Sequence, residues 1–267
     1  MQRSSPRQAG DSMVFDRQPL DELLHRLFIG APGTSLRDED RRKSEEMAGL
    51  LQELAAAVAR RAHKHELVLV DAAAGKATVG LLAAELILAP TGRPARVRVI
   101  ERDPERVAAC REAVTRLRAP GVAVEIVAAD VADASAWPKE PDLVVALHAC
   151  GPASDTIIDQ AVAMCARTLL LVPCCTSKQV QASALAERHA EALGLPRHAE
   201  VRRRFIQSIV DAERTLRLEA AGWQTTVVNF VAPTVTPHNL LWRAEHLGEP
   251  HRMAEAAERI RRLRDTV

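Results

Sequence analysis

Tyrosine is absent from this chain, and aromatic residues of every kind make up only 3% of its 267 positions. Charge of one sign is lacking too: 36 basic residues face 35 acidic ones, for a net charge of +1. No global field therefore draws the chain to nucleic acid or to an acidic membrane surface. No uninterrupted apolar run reaches the roughly 18 residues of a membrane span. The longest, VGLLAAELILA at 79–89, is broken by Glu85. The opening MQRSSPRQAGDS lacks the apolar core of a secretory signal, and residues 1–16 read as a disordered tail. Cysteine is scarce: five, an odd number, at 110, 150, 165, 174 and 175, none spaced as CxxC. That argues against a disulfide framework and predicts a reducing, cytoplasmic setting.

What is present is an alternation of short apolar runs with helical stretches. Residues 17–62 read as a helical extension, with Met47, Leu50, Leu51, Leu54 and Val58 on one face and a break at APGTS, 31–35. Strands are predicted at 67–71, 96–101, 123–128, 142–147 and 168–172, with helices at about 77–89, 104–117 and 153–166 between most of them. That rhythm implies βαβ units and a parallel sheet covered on both faces. Helices follow at 177–194 and 199–221, with Gly222 as a stop signal. WQTTVVNFV at 223–231 and LLWRA at 240–244 are then joined without a crossover helix, so they pair antiparallel. The expected fold is a Rossmann-like α/β domain over 63–247, a mostly parallel seven-stranded sheet with an antiparallel last strand, and a C-terminal helix over 248–267.

In such sheets ligands bind outside the carboxyl ends of the strands. DAAAGKA at 71–77 follows the first strand and opens a helix, where a nucleotide must approach the backbone closely. Ala73 and Ala77 stand where glycine is usual; alanine resists positive φ, so a differently shaped turn is expected. Glu101 ends the second strand, where an acid accepts hydrogen bonds from ribose hydroxyls. Asp130 follows the third, placed for an adenine amino group, and Asp71 ends the first, placed for an ammonium group. Ribose, adenine and amino acid together describe S-adenosyl-L-methionine (SAM), whereas the pyrophosphate of a dinucleotide would be repelled by Asp71. The candidate cofactor residues are Asp71, Ala73, Gly75, Lys76, Glu101, Arg102, Asp130, Val131 and His148. Each acid taken singly could equally cap a helix.

The rim continues in LVVALHACGPASD at 143–155 and LLLVPCC at 169–175. Together DAAAGKA, VIERD, LHACGPASD, VPCC and TPHNLL resemble class I SAM-dependent methyltransferases over roughly residues 40–246. The group includes the methyltransferase domain of the glutathione S-transferase C-terminal domain-containing protein. More distantly, the chain is similar to eukaryotic tRNA 2′-O-methyltransferases. His148, Cys150, Gly151, Asp155, Cys174 and Cys175 match that pattern residue by residue. The resemblance implies a methyl transfer whose acceptor side is lined by the catalytic candidates His148, Cys150, Cys174 and Cys175; the distant relatives suggest RNA, such as a tRNA, as acceptor, and a protein or a small molecule stays open.

Chemistry leaves several roles open. His148 is a general base or orienter, or a structural histidine at a strand end. Asp155 orients His148 or, the preferred reading, caps the next helix. Cys174 and Cys175 line the pocket, donate or attack, or bind a metal with His148 and Cys150, ranked in that order; no metal is expected. Cys110 and Cys165 are expected in helices and in the core. Arg202, Arg203 and Arg204 form the densest basic cluster, a phosphate-binding candidate or a solvated face. A non-catalytic scaffold and a nicotinamide-dependent oxidoreductase remain as alternatives; the missing GxGxxG counts against the second. The missing DPPY or NPPF after the fourth strand counts against ordinary amino-group methylation. No membrane partner is expected, and the sequence does not set the oligomeric state.

Overall fold

A computed structural model describes residues 15–29, 38–61, 65–174 and 177–265. Most of the expected tail, the break at 31–35 and Cys175 lie outside these residues. The chain runs α1 (Arg17–Leu24), α2 (Asp38–Ala59), β1 (Leu67–Ala72), α3 (Thr78–Ala83), β2 (Ala95–Glu101), α4 (Pro104–Thr115), β3 (Val122–Ala128), β4 (Leu143–Ala149) and α5 (Pro152–Ala163). It continues through β5 (Thr168–Pro173), α6 (Ser183–Ala192), α7 (Ala199–Ala220), β6 (Trp223–Asn229), β7 (Leu240–His246) and α8 (Pro250–Asp265).

The seven strands form one sheet in the order β3-β2-β1-β4-β5-β7-β6. The first five are parallel, and β7 is antiparallel to both β5 and β6. The order steps outward on both sides of the β1–β4 pair, which creates a topological switch point at their carboxyl ends.

The strands form here because their side chains alternate between two cores. Leu67, Leu69, Val97, Leu143, Val145, Leu170 and Val172 face one core with α1, α2 and α3. Val70, Ile100, Val144, Ala146, Leu169 and Leu171 face the other with Ile157, Ile158 and Leu218. All six residues of β5 are buried, as a central strand of a covered sheet requires. Each such Leu or Val contributes about 1.5–3 kcal/mol by leaving water. Trp223 and Trp242 are buried too, and Trp242 Nε1 donates to Thr215 Oγ1 at 2.9 Å. Asp103 caps α4, its carboxylate accepting from Glu105 N and Arg106 N, with Pro104 at the first helical position.

Two expectations shift in detail. The helix after β1 is α-helical only over Thr78–Ala83, then widens to a π-helical turn over Ala84–Leu88. Glu85, which interrupts the apolar run, sits in that turn, pairs with Arg26 and accepts from Arg118 N at 2.8 Å. The helix expected from 177 begins only at Ser183. One expectation fails: Cys165 is exposed, not core, because α5 has ended and Cys165 turns the chain toward β5 with a φ of 54°. Cys110 is buried as expected. Among the described residues no helix is long and apolar enough to cross a membrane.

Candidate active site

At the carboxyl ends of β1, β2, β3 and β4 lies a cavity of about 550 Å³. Ala73, Glu101, Arg102, Asp130, Val131, His148 and Cys150 line it, so the structure brings most of the candidate rim together. Arg106, Gly151, Ser177 and Gln179 also line it, although motif spacing does not mark them as cofactor contacts.

Glu101 is buried and anchors the turn. Its Oε2 accepts from Gly75 N at 2.8 Å and its Oε1 from Asp103 N at 2.9 Å. The turn itself departs from expectation. Ala73 and Ala77 both adopt the left-handed backbone of a glycine, with φ of 53° and 59°, beside Gly75 at 61°. The shape of a glycine turn is therefore kept, and the alanines carry the strain, about 1–2 kcal/mol each.

Asp71, Gly75 and Lys76 are not among the cavity's lining residues. Asp71 is buried and its Oδ2 accepts from Gly80 N at 2.8 Å. Burial pushes its carboxyl up to about 7, against the lowering effect of the Gly80 hydrogen bond. The helix must come close for this contact: a Cβ on Gly80 would lie 2.9 Å from Asp71 Oδ2. Asp130 is half-exposed, with Ala132 N on Oδ1 at 2.9 Å and Arg102 Nη1 on Oδ2 at 3.0 Å. These hydrogen bonds hold its carboxyl below the usual range, the Ala132 amide foremost. Val131 is fixed through its carbonyl, which accepts from Trp137 Nε1 at 2.9 Å.

His148 sits on a bulge. The β4–β5 register skips from Leu147 to Ala149, and His148 takes a φ of 56°. This re-aims its ring. Its Nε2 lies 2.7 Å from Glu46 Oε1, a buried carboxylate of α2. The pair makes a close contact without forming a hydrogen bond. His238, in the β6–β7 connection, meets the His148 ring edge-on at 6.3 Å. Burial, with His148 beside it, holds His238 below the ordinary histidine value.

Asp155 neither orients His148 nor caps α5. Its carboxylate is engaged by Arg214 and Arg217 of α7, and Gly151 holds the cap position without a side-chain bond. Glu46, not Asp155, is the acid beside His148. It was invisible to motif reading because it belongs to the N-terminal helices. Cys150 and Cys174 are joined by a disulfide, a pairing that the sequence reading did not weigh. Their sulfurs lie 3.3 and 3.5 Å from the His148 carbonyl oxygen. Among the described residues no group of three or more His, Cys, Asp or Glu is placed to hold a metal.

A second groove, of about 660 Å³, adjoins the first through Ser177 and carries Lys178, Arg202, Arg203 and Ile206. The basic cluster is largely compensated. Arg202 pairs with Glu187 and Glu191, while Arg203 and Arg204 pair with Glu200.

An open sheet of this order with an acid-lined cleft at its switch point is the architecture of a class I methyltransferase. The family model described as a methyltransferase domain matches residues 42–182, more than half of the chain, and the chain belongs to that family. It is a methyltransferase with SAM as methyl donor. No curated protein matches the sequence. Among solved structures, magnesium protoporphyrin IX methyltransferase from Synechocystis PCC 6803 with bound SAH is 14% identical, with a TM-score of 0.47 over 86% of this chain and 97% of that one. Precorrin-6y C5,15-methyltransferase from Geobacter metallireducens GS-15 is 19% identical, with a TM-score of 0.41 over 75% and 87%. An rRNA methylase from Streptococcus thermophilus is 10% identical, with a TM-score of 0.41 over 74% and 94%.

Proposed function

We propose that the cleft at the ends of β1 to β4 holds SAM and that the chain transfers its methyl group to an RNA acceptor such as a tRNA. The observation that carries the cofactor half is Glu101, a buried carboxylate on the cavity wall, fixed by two backbone amides. Each carboxylate oxygen keeps a further lone pair, so Glu101 can still accept from two ribose hydroxyls. Asp130 suits the adenine amino group, with Val131 and Arg102 beside it. Ala73 presents the turn backbone, Gly75 supports it through its amide on Glu101 Oε2, and Lys76 follows it. Asp71 contributes by holding Gly80, and so the start of α3, rather than by lining the cavity.

Bound there, SAM would supply an electrophilic methyl group on a sulfonium, with the thioether of SAH as the leaving group. The chain's residues align the acceptor and manage its proton. His148, on its bulge, and Cys150 wall the acceptor side, with Cys174 tied to Cys150 and Cys175 next in sequence. Glu46 Oε1 stands 2.7 Å from His148 Nε2 and helps fix the ring's place on that wall. The RNA class is supported by the likeness of LHACGPASD and PCC to tRNA methyltransferases. Arg202, Arg203 and Arg204 are paired with Glu187, Glu191 and Glu200, so they give no strong phosphate footprint.

The test is calorimetric titration with S-adenosylhomocysteine (SAH) beside Glu101→Ala. Micromolar binding, about −8 kcal/mol, lost in the variant, is expected. Labelled SAM would then be offered to RNA and protein pools. A wild-type protein that fails to bind SAH refutes the cofactor reading, and label entering only protein refutes the RNA acceptor.

A further inference from the structure

The segment between β4 and α5 forms one wall of the cleft through Cys150, Gly151, Pro152 and Ala153. Behind it lies a charge cluster that the proposed function leaves unused. Arg214 of α7 is fully buried. Its Nε donates to Asp155 Oδ1 at 2.9 Å and its Nη2 to Asp155 Oδ2 at 3.2 Å. The same Nη2 reaches the Gly151 carbonyl oxygen at 3.3 Å. Arg217 also binds Asp155, Nη2 to Oδ1 at 2.8 Å, but its side-chain hydrogen bonds go to Asp155, Asp159 and Gln181, not to the wall. Two arginines thus share one carboxylate, and only Arg214 extends from it to the wall.

A buried guanidinium is costly unless its donors are met. Here the Nε and Nη2 donors are met by Asp155 and by the Gly151 carbonyl, so the guanidinium ties the carboxylate to the wall. Gly151 is the hinge of that geometry. Its φ is +56°, and a Cβ there would stand 3.3 Å from Ser177 Oγ, which also lines the cleft. The Gly151 carbonyl has no strand partner, because the β4–β5 ladder ends at Ala149 opposite Pro173.

We infer that Arg214 is a positioning residue for the cofactor cleft. By holding the Gly151 carbonyl and Asp155 on one planar fork, it sets where the wall after β4 stands. Arg217 shares Asp155, and its other bonds, to Asp159 and Gln181, lead away from the wall. The inference rests on the reading of the cleft as the SAM site.

The test compares Arg214→Met, Arg214→Lys and Arg217→Met in the full-length protein. The readouts are calorimetric titration with SAH and hydrogen–deuterium exchange of the peptide covering 148–153. Arg217 still neutralises Asp155 in Arg214→Met, which favours folding; Arg214→Lys keeps the buried charge and serves if the methionine variant does not fold. Both Arg214 variants should lose about tenfold or more in SAH affinity, about 1.4 kcal/mol, and exchange faster over 148–153. Arg217→Met should stay within about twofold of wild type in SAH affinity, whatever its melting temperature. A folded Arg214 variant with wild-type affinity and exchange overturns the inference. So does an equal loss of affinity in Arg217→Met. If the wild type itself binds no SAH, the cofactor reading fails, and exchange over 148–153 still decides whether Arg214 holds the wall.

Discussion

Asp71→Asn tests the least ordinary carboxylate in the fold. Asp71 is an acid whose folded-state pKa is raised, from 3.8 to about 7, chiefly by burial. The sign is the reverse of the usual salt-bridged acid. Below pH 3.8 both states are protonated and the group costs nothing. Above it the unfolded chain releases the proton while the native state keeps it, so native stability falls with rising pH until about 7, where the penalty levels off. At about 1.36 kcal/mol per unit, the full penalty is about 4 kcal/mol, of which about 2–3 falls between pH 5 and pH 8. Asparagine keeps an acceptor for Gly80 N and does not titrate. Urea unfolding of both proteins at pH 5 and pH 8 isolates the effect, because the slopes of all other groups cancel in the difference. The variant should gain about 2–3 kcal/mol on wild type as pH rises between those values. Equal pH dependence in the two proteins would refute the assignment of Asp71 as a buried acid that resists ionisation.

Two further substitutions probe the same corner. Gly80→Ala would place a Cβ 2.9 Å from Asp71 Oδ2 and 3.1 Å from Val97 Cγ1. Overpacking of about 1–3 kcal/mol should outweigh the helix preference of alanine and lower the melting temperature; an unchanged or raised value would show that α3 can shift away. Ala73→Gly relieves a φ of 53°. The relief of about 1–2 kcal/mol exceeds the added freedom of the unfolded chain, about 0.4–1 kcal/mol, so a small gain in urea midpoint is expected, and a clear loss would contradict the strained turn.

The sheet was readable because its strands are short, apolar and β-branched between polar breaks, and the antiparallel pair because no crossover helix separates 231 from 240. Glu101, Asp130 and His148 were readable because strand ends are where ligands meet an open sheet. Other features were hidden for identifiable reasons. Glu46 reaches His148 from α2, and nothing in local spacing links those two segments. Asp155 looks like a cap from its place at a helix start, but the buried arginines that claim it lie on α7. Positive φ at Ala73 and Ala77 contradicts the intrinsic preference of alanine, and only tertiary packing enforces it. The Cys150–Cys174 bond depends on β4 and β5 being neighbours, a fact of pairing rather than of spacing.

The strand order has a consequence for synthesis. β5 is fully buried in the finished protein, yet its partner on one side is β7, the last strand made. β6 emerges first but cannot take that place, since it belongs at the outer edge beyond β7. While the ribosome adds the residues from Pro173 to His246, at about 5–20 residues per second, β5 presents an open apolar edge for roughly 4–15 s. During that interval an exposed strand of this kind is a template for pairing with another nascent chain. The helices α6 and α7 are made in the same interval and are placed to shield it.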